Sequence, residues 1–380
     1  MIFAIINFFY QVGSLAAGMV LLNKLRKRVD APSPSLSTEY PGVSIITSIK
    51  GPTPYMAEGV MSLLNQDYPG PIELVVAALD ENEMLLPELF ELVKKSGTKV
   101  NVKYVYPVDT RGVNPRTIKI AKAYEKTIYP WIFEATVDTR FPPDFLKRGI
   151  DTTKNISTNY ATTFPITCGS VDFAAQLEAV GLNLEVIQFF LSSEKINFPA
   201  AYGGAIIFHR ELFEKTAGWK AILLYLADDV TIARELHKVG GKCNLVSSFA
   251  YVKQDQHDIK GFWSRQIRWR MISRYYLPLH FYLSPLEWLT PIVFLYGAIS
   301  GSIGILAVAT LTFICRIIQA GFIQRSIGTP SREWLHAWTL PIFEFFTIPI
   351  TIAAFFANTI KWGTTTMKLN SRGEVISTKF

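Results

Sequence analysis

The sequence predicts an α/β domain that lies between two hydrophobic ends. Short β-branched runs alternate with helical patterns across residues 43–285, an order that favours parallel strands with helices packed on the sheet. The first 22 residues carry no charged side chain, and long apolar runs follow residue 286. We therefore expect a folded catalytic or binding domain held at a bilayer.

Composition agrees with a membrane protein and excludes a disordered chain. The 380 residues are 49% hydrophobic and 18% charged, with a formal net charge of +7. Basic segments beside membrane spans explain this charge, whereas no nucleic-acid-binding motif is present, so we expect no nucleic-acid partner. Cys168, Cys243 and Cys315 are far apart in sequence and form no CxxC pair, which argues against disulfides and a thiolate zinc site.

The N-terminal end is predicted to be an uncleaved membrane anchor. Residues 1–22 suffice for a span, which needs about 20 apolar residues. The basic residues come after the apolar run rather than before it, unlike those of a cleaved signal peptide. They are Lys24, Arg26, Lys27 and Arg28. This charge places the following linker, residues 23–42, and the catalytic domain in the cytoplasm. A buried core helix is the weaker alternative.

Residues 286–362 are predicted to hold the C-terminal membrane helices. The run Trp288–Ile323 contains a Ser-Gly turn signal near Gly301, which favours a hairpin of two spans, although one long tilted helix is the alternative. A third span is expected within Leu335–Ile360. Four spans in total make this a multi-pass protein and put the tail, residues 363–380, on the non-cytoplasmic side. The basic composition of that tail favours the opposite side.

The domain predicted at residues 43–285 begins with four strands and three intervening helices. The strands are expected at Val43–Ser48, Ile72–Ala78, Val100–Tyr106 and Trp131–Val137. The helices are expected at Pro54–Asn65, Leu85–Lys95 and Arg116–Tyr129. A strand within Ala201–Phe208, a helix from Asp228 to Lys238 and an amphipathic helix over Ile259–Tyr276 follow.

Acidic residues come directly after two of the strands. Ligands of open α/β sheets bind beyond the carboxyl ends of the strands, where Asp80 and Asp138 fall. A turn-capping role is the alternative for each residue taken alone. Asp228 and Asp229 open a later helix, and N-terminal capping accounts for one of them, Asp228, but does not require both.

The helix over Ile259–Tyr276 mixes arginines with aromatic residues, a composition that suits a membrane interface. Arg265 and Arg268 are one helical turn apart and can face one anionic group together, while Trp269 can line an acceptor site. A purely interfacial role is the alternative.

These motifs together resemble the ceramide glucosyltransferase family and its bacterial lipid and hopanoid glycosyltransferase relatives. The resemblance covers about residues 43–285 and the layout of the membrane ends. The matching segments are Lys50-Gly51, Asp67–Pro69, Asp80, Gly112–Arg116, Asp138, Asp229 and Arg265–Trp269. Arg116 stands where the family has a lysine, and no counterpart of the family's histidine-containing acceptor segment is evident.

The resemblance implies a GT-A (Rossmann-like) fold and an inverting transfer of a hexose, by default glucose, from a UDP-sugar to a lipid hydroxyl. Asp229 is then the general base, and Arg265, Arg268 and Trp269 complete the catalytic set. The implied donor-binding residues are Lys50, Asp80, Asn114, Arg116 and Asp138. Asp138 also holds a divalent metal, Mg²⁺ or Mn²⁺.

Three other functions are weighed against this one. A processive polysaccharide synthase uses the same chemistry but needs a transmembrane channel with more helices. A non-catalytic, membrane-anchored nucleotide-binding scaffold would not need Asp229 and the Arg268-Trp269 pair. A transporter would not need a polar α/β domain of this size.

Overall fold

The computed structural model describes residues 1–31, 39–50, 55–106, 109, 114–153, 158–254, 258–329, 331–362 and 365–379. Residues 32–38 of the predicted linker lie outside these ranges. Three residues of the resemblance motifs, Gly51, Gly112 and Val113, also lie outside them, as does the predicted helix start at Pro54.

The described strands reproduce the four predicted at the start of the domain and add others. They are β1 Val43–Ser48, β2 Ile72–Ala77, β3 Asn101–Val105, β4 Trp131–Ala135, β5 Thr139–Arg140, β6 Asn159–Thr162, β7 Pro165–Cys168, β8 Ala205–His209, β9 Lys242–Leu245, β10 Ala250–Lys253, β11 Thr359–Trp362, β12 Thr365–Leu369 and β13 Val375–Lys379.

The described helices include a long one that the sequence pattern did not predict, α6. They are α1 Ile2–Asp30, α2 Met56–Leu64, α3 Leu86–Ser96, α4 Pro115–Glu125, α5 Phe145–Thr152, α6 Phe173–Ile196, α7 Arg210–Glu214, α8 Asp228–Lys238, α9 Ile259–Tyr276, α10 Pro278–Leu283, α11 Leu289–Ser300, α12 Ile303–Ser326 and α13 Leu340–Phe356.

The chain forms two compact units. The sheet unit comprises Lys27–Pro165, Ser192–Lys253 and Thr365–Phe380. The helical unit comprises Met1–Arg26, Ile166–Leu191 and Gln254–Thr364. These boundaries differ from the predicted ones because α9 packs on α13 within the helical unit. The C-terminal tail, in turn, forms a β-hairpin that belongs to the sheet unit.

A seven-stranded sheet organises the sheet unit. Its order is β3-β2-β1-β4-β8-β6-β9, and the first four strands are parallel. The order 3-2-1-4 is that of the Rossmann sheet, which confirms the predicted α/β, Rossmann-like fold. The parallel expectation does not extend to β8, which is antiparallel to both β4 and β6.

Complete burial of the central strands explains their β-branched sequences. All side chains from Val43 to Thr47 are buried, as are those of β4. Strands covered on both faces by helices read as continuous apolar runs. Ile45 pairs with Leu74 of β2 on one side and with Phe133 of β4 on the other, so one apolar layer crosses the sheet.

The helical unit carries the membrane-spanning candidates. Within the described residues, Ile2–Asp30, Ile303–Ser326 and Glu333–Phe356 are long and apolar enough to cross a bilayer. The predicted turn at Gly301 forms, with φ of 65°, and α11 packs against α12. However, α11 has 12 residues and is therefore about 18 Å long, whereas a span must cross about 30 Å. The expected hairpin thus has one short arm.

Buried polar contacts join the three candidate spans. Arg316 on α12 donates from Nε to Glu344 Oε1 on α13 at 2.7 Å and from Nη1 to Gln11 Oε1 on α1, also at 2.7 Å. At the end of α13, Arg274 of α9 donates to the carbonyl oxygen of Ala354 at 2.7 Å and so caps the exposed peptide carbonyls.

Candidate active site

Three predicted donor-binding residues follow parallel strands at one edge of the sheet. Lys50 lies beyond β1, Asp80 beyond β2 and Asp138 beyond β4. The strand order reverses between β1 and β4, and ligands of open α/β sheets bind at such a point. Asp80 is half-buried, and its Oδ1 accepts a hydrogen bond from the backbone N–H of Asn82 at 2.8 Å, so the turn-capping role is also present.

Asp138 presents an exposed carboxylate. Thr139 Oγ1 donates to its Oδ1 at 3.4 Å. Arg140, whose charge would compete with a metal ion, donates from Nη1 to Glu58 Oε2 at 2.7 Å. No group of three or more His, Cys, Asp or Glu side chains is arranged as a metal site in the part of the chain that the structure describes. A single exposed carboxylate still fits Mg²⁺ or Mn²⁺ bound to a nucleotide, because Mg²⁺ takes one or two carboxylates and completes its shell with phosphate and water.

Arg116 lies at the centre of an ion cluster whose two carboxylates are buried. Its guanidinium is paired through Nη1 with Asp228 Oδ2 and donates from Nη2 to Glu134 Oε1 at 2.8 Å. The same nitrogen donates to the carbonyl oxygen of Gly203 at 2.6 Å. Burial alone would lower the pKa of Arg116, but the surrounding carboxylates outweigh it and raise that pKa. Arg116 therefore stays charged and is paired with Asp228.

Glu134 is the other member of this cluster, and it lies in the middle of β4 with no exposed surface. Burial raises its pKa to about 8, although the charge of Arg116 lowers it. The sequence signal was a single acidic residue inside an otherwise apolar strand. A charge at such a position requires a buried partner, and the pattern could not say which residue supplies it.

Asp229, the predicted base, stands beside this cluster and is half-buried. Its Oδ2 accepts from the backbone N–H of Gly203 at 2.9 Å, and its Oδ1 accepts from that of Val230 at 2.7 Å. A Cβ at Gly203 would lie 3.1 Å from Asp229 Oδ2, so glycine permits this close approach. Burial and the charge of Asp228 raise the pKa of Asp229 to about 6, against the lowering effects of these N–H groups and Arg116.

Asp228 and Asp229 have separate roles in this geometry. Asp228 is buried and paired with Arg116, and its Oδ1 accepts from the N–H of Asp229 at 3.0 Å. Within the described residues, the hydrogen bonds to the Asp229 carboxylate come from the backbone N–H groups of Gly203 and Val230. A carboxylate with a raised pKa suits proton abstraction.

Asn114 holds the loop that leads into Asp228. It caps α4 by accepting from the N–H of Arg116 at 3.0 Å. Its Nδ2 donates to the carbonyl oxygens of Tyr225 at 2.9 Å and Leu226 at 3.1 Å. The residue is 1% exposed, and these bonds tie α4 to the loop before Asp228.

Two lysines lie close to the carboxyl end of β1. Lys50 donates to Thr365 Oγ1, and burial lowers the pKa of its ammonium. Lys119 of α4 donates to the carbonyl oxygen of Ile49, and burial lowers its pKa to about 8. Lys119 was not predicted as a site residue. The sequence shows Lys119 only as a basic residue on the buried face of α4. This pattern is common on helices and does not single out a site residue.

The predicted arginines of α9 lie in the helical unit. Arg265 donates from Nε to Glu178 Oε2 of α6 at 2.9 Å, a partner that sequence spacing could not reveal. Burial and the charge of Arg265 lower the pKa of Arg268 to about 10. Trp269 is half-buried on the same helix. Phe262, on the same helix, packs on Phe343 of α13, which anchors α9 to a candidate span.

The α/β unit carries carboxylates beyond its strand ends, and the chain has helices long and apolar enough to cross a membrane. The model of glycosyl transferase family 21 matches residues 6–375, and the chain belongs to this family. The predicted resemblance to lipid glycosyltransferases is confirmed at the level of the family.

Relatives of known name include ceramide glucosyltransferase 3 of Caenorhabditis elegans, which is 23% identical over 251 residues. That match covers 66% of this chain but 54% of the relative, so the chain spans about half of the relative's length.

The chain is also similar to two solved structures. The mannosyltransferase PcManGT from Pyrobaculum calidifontis, in complex with GDP-Man and Mn²⁺, gives a TM-score of 0.48 at 16% identity over 93% of this chain and 96% of that one. S. aureus TarS in complex with UDP-GlcNAc gives a TM-score of 0.42 at 11% identity over 88% of this chain and 99% of that one.

Proposed function

We propose that this protein is an inverting glycosyltransferase that moves a hexose from a UDP-sugar to the hydroxyl of a membrane lipid. The observation that carries the proposal is Asp229: a half-buried carboxylate of raised pKa beside the Arg116–Asp228 pair. Family membership and the relative named as a ceramide glucosyltransferase support transfer to a lipid. Glucose is the default sugar on the same ground.

Donor binding is assigned to the edge of the sheet at β1, β2 and β4. Lys50 supplies a cation for the diphosphate, and Asp80 accepts hydrogen bonds from the nucleoside. Asp138 would hold Mg²⁺ or Mn²⁺, which neutralises charge on the leaving diphosphate when it is bound.

The chemical step is a single displacement. Asp229 takes the proton of the lipid hydroxyl as the hydroxyl oxygen attacks the anomeric carbon. The bond from that carbon to the diphosphate oxygen breaks, UDP leaves, and the configuration inverts. A positioned base of this kind contributes about 10²–10⁴-fold to the rate.

The roles of Arg265, Arg268 and Trp269 rest on the sequence motif. In this proposal the arginines neutralise the departing diphosphate, because guanidinium groups match phosphate oxygens in charge and geometry. Trp269 contacts the acceptor lipid. The cationic segment after the anchor supports a cytoplasmic sheet unit in a multi-pass protein.

Transfer from radiolabelled UDP-glucose into membrane lipids tests the proposal. The expected result is a chloroform-soluble labelled product with purified enzyme and lipid extract. An insoluble labelled polymer would instead identify a polysaccharide synthase. UDP-sugar binding without any product would identify a nucleotide-binding scaffold, and either result would overturn the proposal.

A further inference from the structure

The C-terminal hairpin of β12 and β13 lies in the sheet unit, against elements of the candidate active site. Strand pairing joins Thr366 to Lys379 and Met367 to Thr378. The turn is closed by Asn370, whose N–H donates to the carbonyl oxygen of Glu374 at 3.0 Å. Gly373 in this turn has φ of 79°, a conformation that favours glycine. The segment predicted as a tail is thus a folded element.

One end of the hairpin contacts the cation at the end of β1. Thr365 is 2% exposed, and its Oγ1 accepts a hydrogen bond from Lys50 Nζ. The apolar side chains of Met367 and Leu369 are buried at 1% and 3% exposure. The hairpin is therefore packed in place, and its first residue fixes the direction of a predicted donor-binding lysine.

The other strand contacts the loop that leads to the base. The backbone N–H of Val375 donates to the carbonyl oxygen of Leu224 at 2.7 Å. Glu374 and Tyr225 form an antiparallel bridge, and Tyr225 donates from its hydroxyl to Glu374 Oε1 at 3.4 Å. The hairpin holds Leu224 and Tyr225, while Asn114 bonds Tyr225 and Leu226, and Asp228 begins α8 just beyond.

We propose that the C-terminal hairpin, residues 365–379, is a positioning element of the active site. It orients Lys50 toward the donor and, together with Asn114, fixes the loop before Asp228 and Asp229. This inference rests on the proposed function for its kinetic consequence. It also requires the C-terminus to lie on the same side of the membrane as the catalytic residues, opposite to the four-span expectation. The basic side chains at Lys368 and Arg372 agree with a cytoplasmic location.

An engineered disulfide tests the placement without any need for activity. Antiparallel partners have Cα atoms about 4.5–5.5 Å apart, within disulfide range, so Tyr225→Cys with Glu374→Cys should crosslink under mild oxidation in intact membranes. Trypsin cleaves between the two sites, and mass spectrometry without reductant detects the linked peptides. The two single variants are the controls. Unlinked cysteines that both react with a membrane-permeant thiol reagent would overturn the placement.

Isosteric substitution of Thr365 tests the positioning role. Thr365→Val removes the oxygen that holds Lys50 but keeps the side-chain volume, and we expect the KM for the UDP-sugar to rise about 10-fold with a smaller change in kcat. Thr365→Ser should restore the KM, and Thr366→Val on the same strand should leave it unchanged. Equal KM values for Thr365→Val and Thr366→Val would overturn the role. An inactive wild-type enzyme would refute the proposed function, whereas the crosslink would still report the placement.

Discussion

At the scale of single residues, opposing charges set the proton affinity of Asp229. Burial and the neighbouring Asp228 raise its pKa, while Arg116 and two backbone N–H groups lower it, and the result is about 6. A carboxylate with this pKa is about nine-tenths ionised at pH 7 and is still more basic than an ordinary aspartate. The charge of Arg116 therefore lowers the proton affinity of Asp229, which burial and Asp228 raise.

The pH dependence of transfer follows from these influences. We expect kcat/KM to decline as the pH falls through about 6, because protonated Asp229 cannot accept the proton of the acceptor. Arg116→Gln removes a cation that lowers the pKa of Asp229. The fall of kcat/KM at acid pH, which is the acid limb of the pH profile, should therefore move to higher pH. Arg210→Gln removes one cation from α7 and should leave the limb in place. An unshifted limb in the Arg116 variant would contradict this electrostatic role.

Metal dependence is a second property that rests on one residue, Asp138. If its carboxylate holds the ion that accompanies the diphosphate, EDTA should abolish transfer, and added Mn²⁺ should restore it. Asp138→Ala should respond to neither treatment and should retain little activity. Full activity of the wild-type enzyme in EDTA would exclude the metal role.

At the scale of elements, buried ion pairs connect the helices. Arg316 of α12 contacts both Glu344 of α13 and Gln11 of α1. Removing one member of a buried pair leaves an uncompensated charge and costs about 3–5 kcal/mol, whereas replacing both by apolar residues is often neutral. We therefore expect the pair to affect how these helices pack more than how stable they are.

A double-mutant cycle on this pair measures its role. Arg316→Met and Glu344→Met should each lower the unfolding temperature of the detergent-solubilised protein clearly, whereas the double variant should recover most of the loss. Thermal unfolding of the four proteins at equal concentration provides the measurement. Additive losses would show that the two side chains do not interact.

The local sequence pattern predicted those helices and strands that have a clear hydrophobic periodicity or a clear capping residue. The predicted bounds of α9 agree with the structure, because Asp258 caps its start and Leu277 ends it. Helix α6 was not predicted, since its apolar residues lie all around the helix and give no amphipathic pattern. The C-terminal hairpin was also not predicted. Its signal was the alternation of Met367 and Leu369 before a turn that contains Gly373.

At the scale of the whole molecule, the order of the motifs predicted the family and the sheet, but not the connections among site residues. The Arg116–Asp228 pair joins positions 112 residues apart. The contact between Lys50 and Thr365 spans 315 residues. Such contacts depend on the tertiary fold, and a single sequence has no periodicity that reveals them. Arg116 and Asn114 were predicted to bind the donor. The structure adds their contacts with Asp228 and with the carbonyl oxygen of Tyr225, which the sequence could not reveal.

One comparison tests directly whether Asp229 is the base of a sugar transfer to lipid. Asp229→Asn and wild-type enzyme should be assayed from matched preparations for UDP-sugar binding and for transfer into lipid. We expect equal binding and a loss of transfer of at least about 10²-fold, because the amide can occupy the same place but cannot take the proton. Turnover by the Asn variant at the wild-type rate, with binding unchanged, would show that Asp229 is not the base.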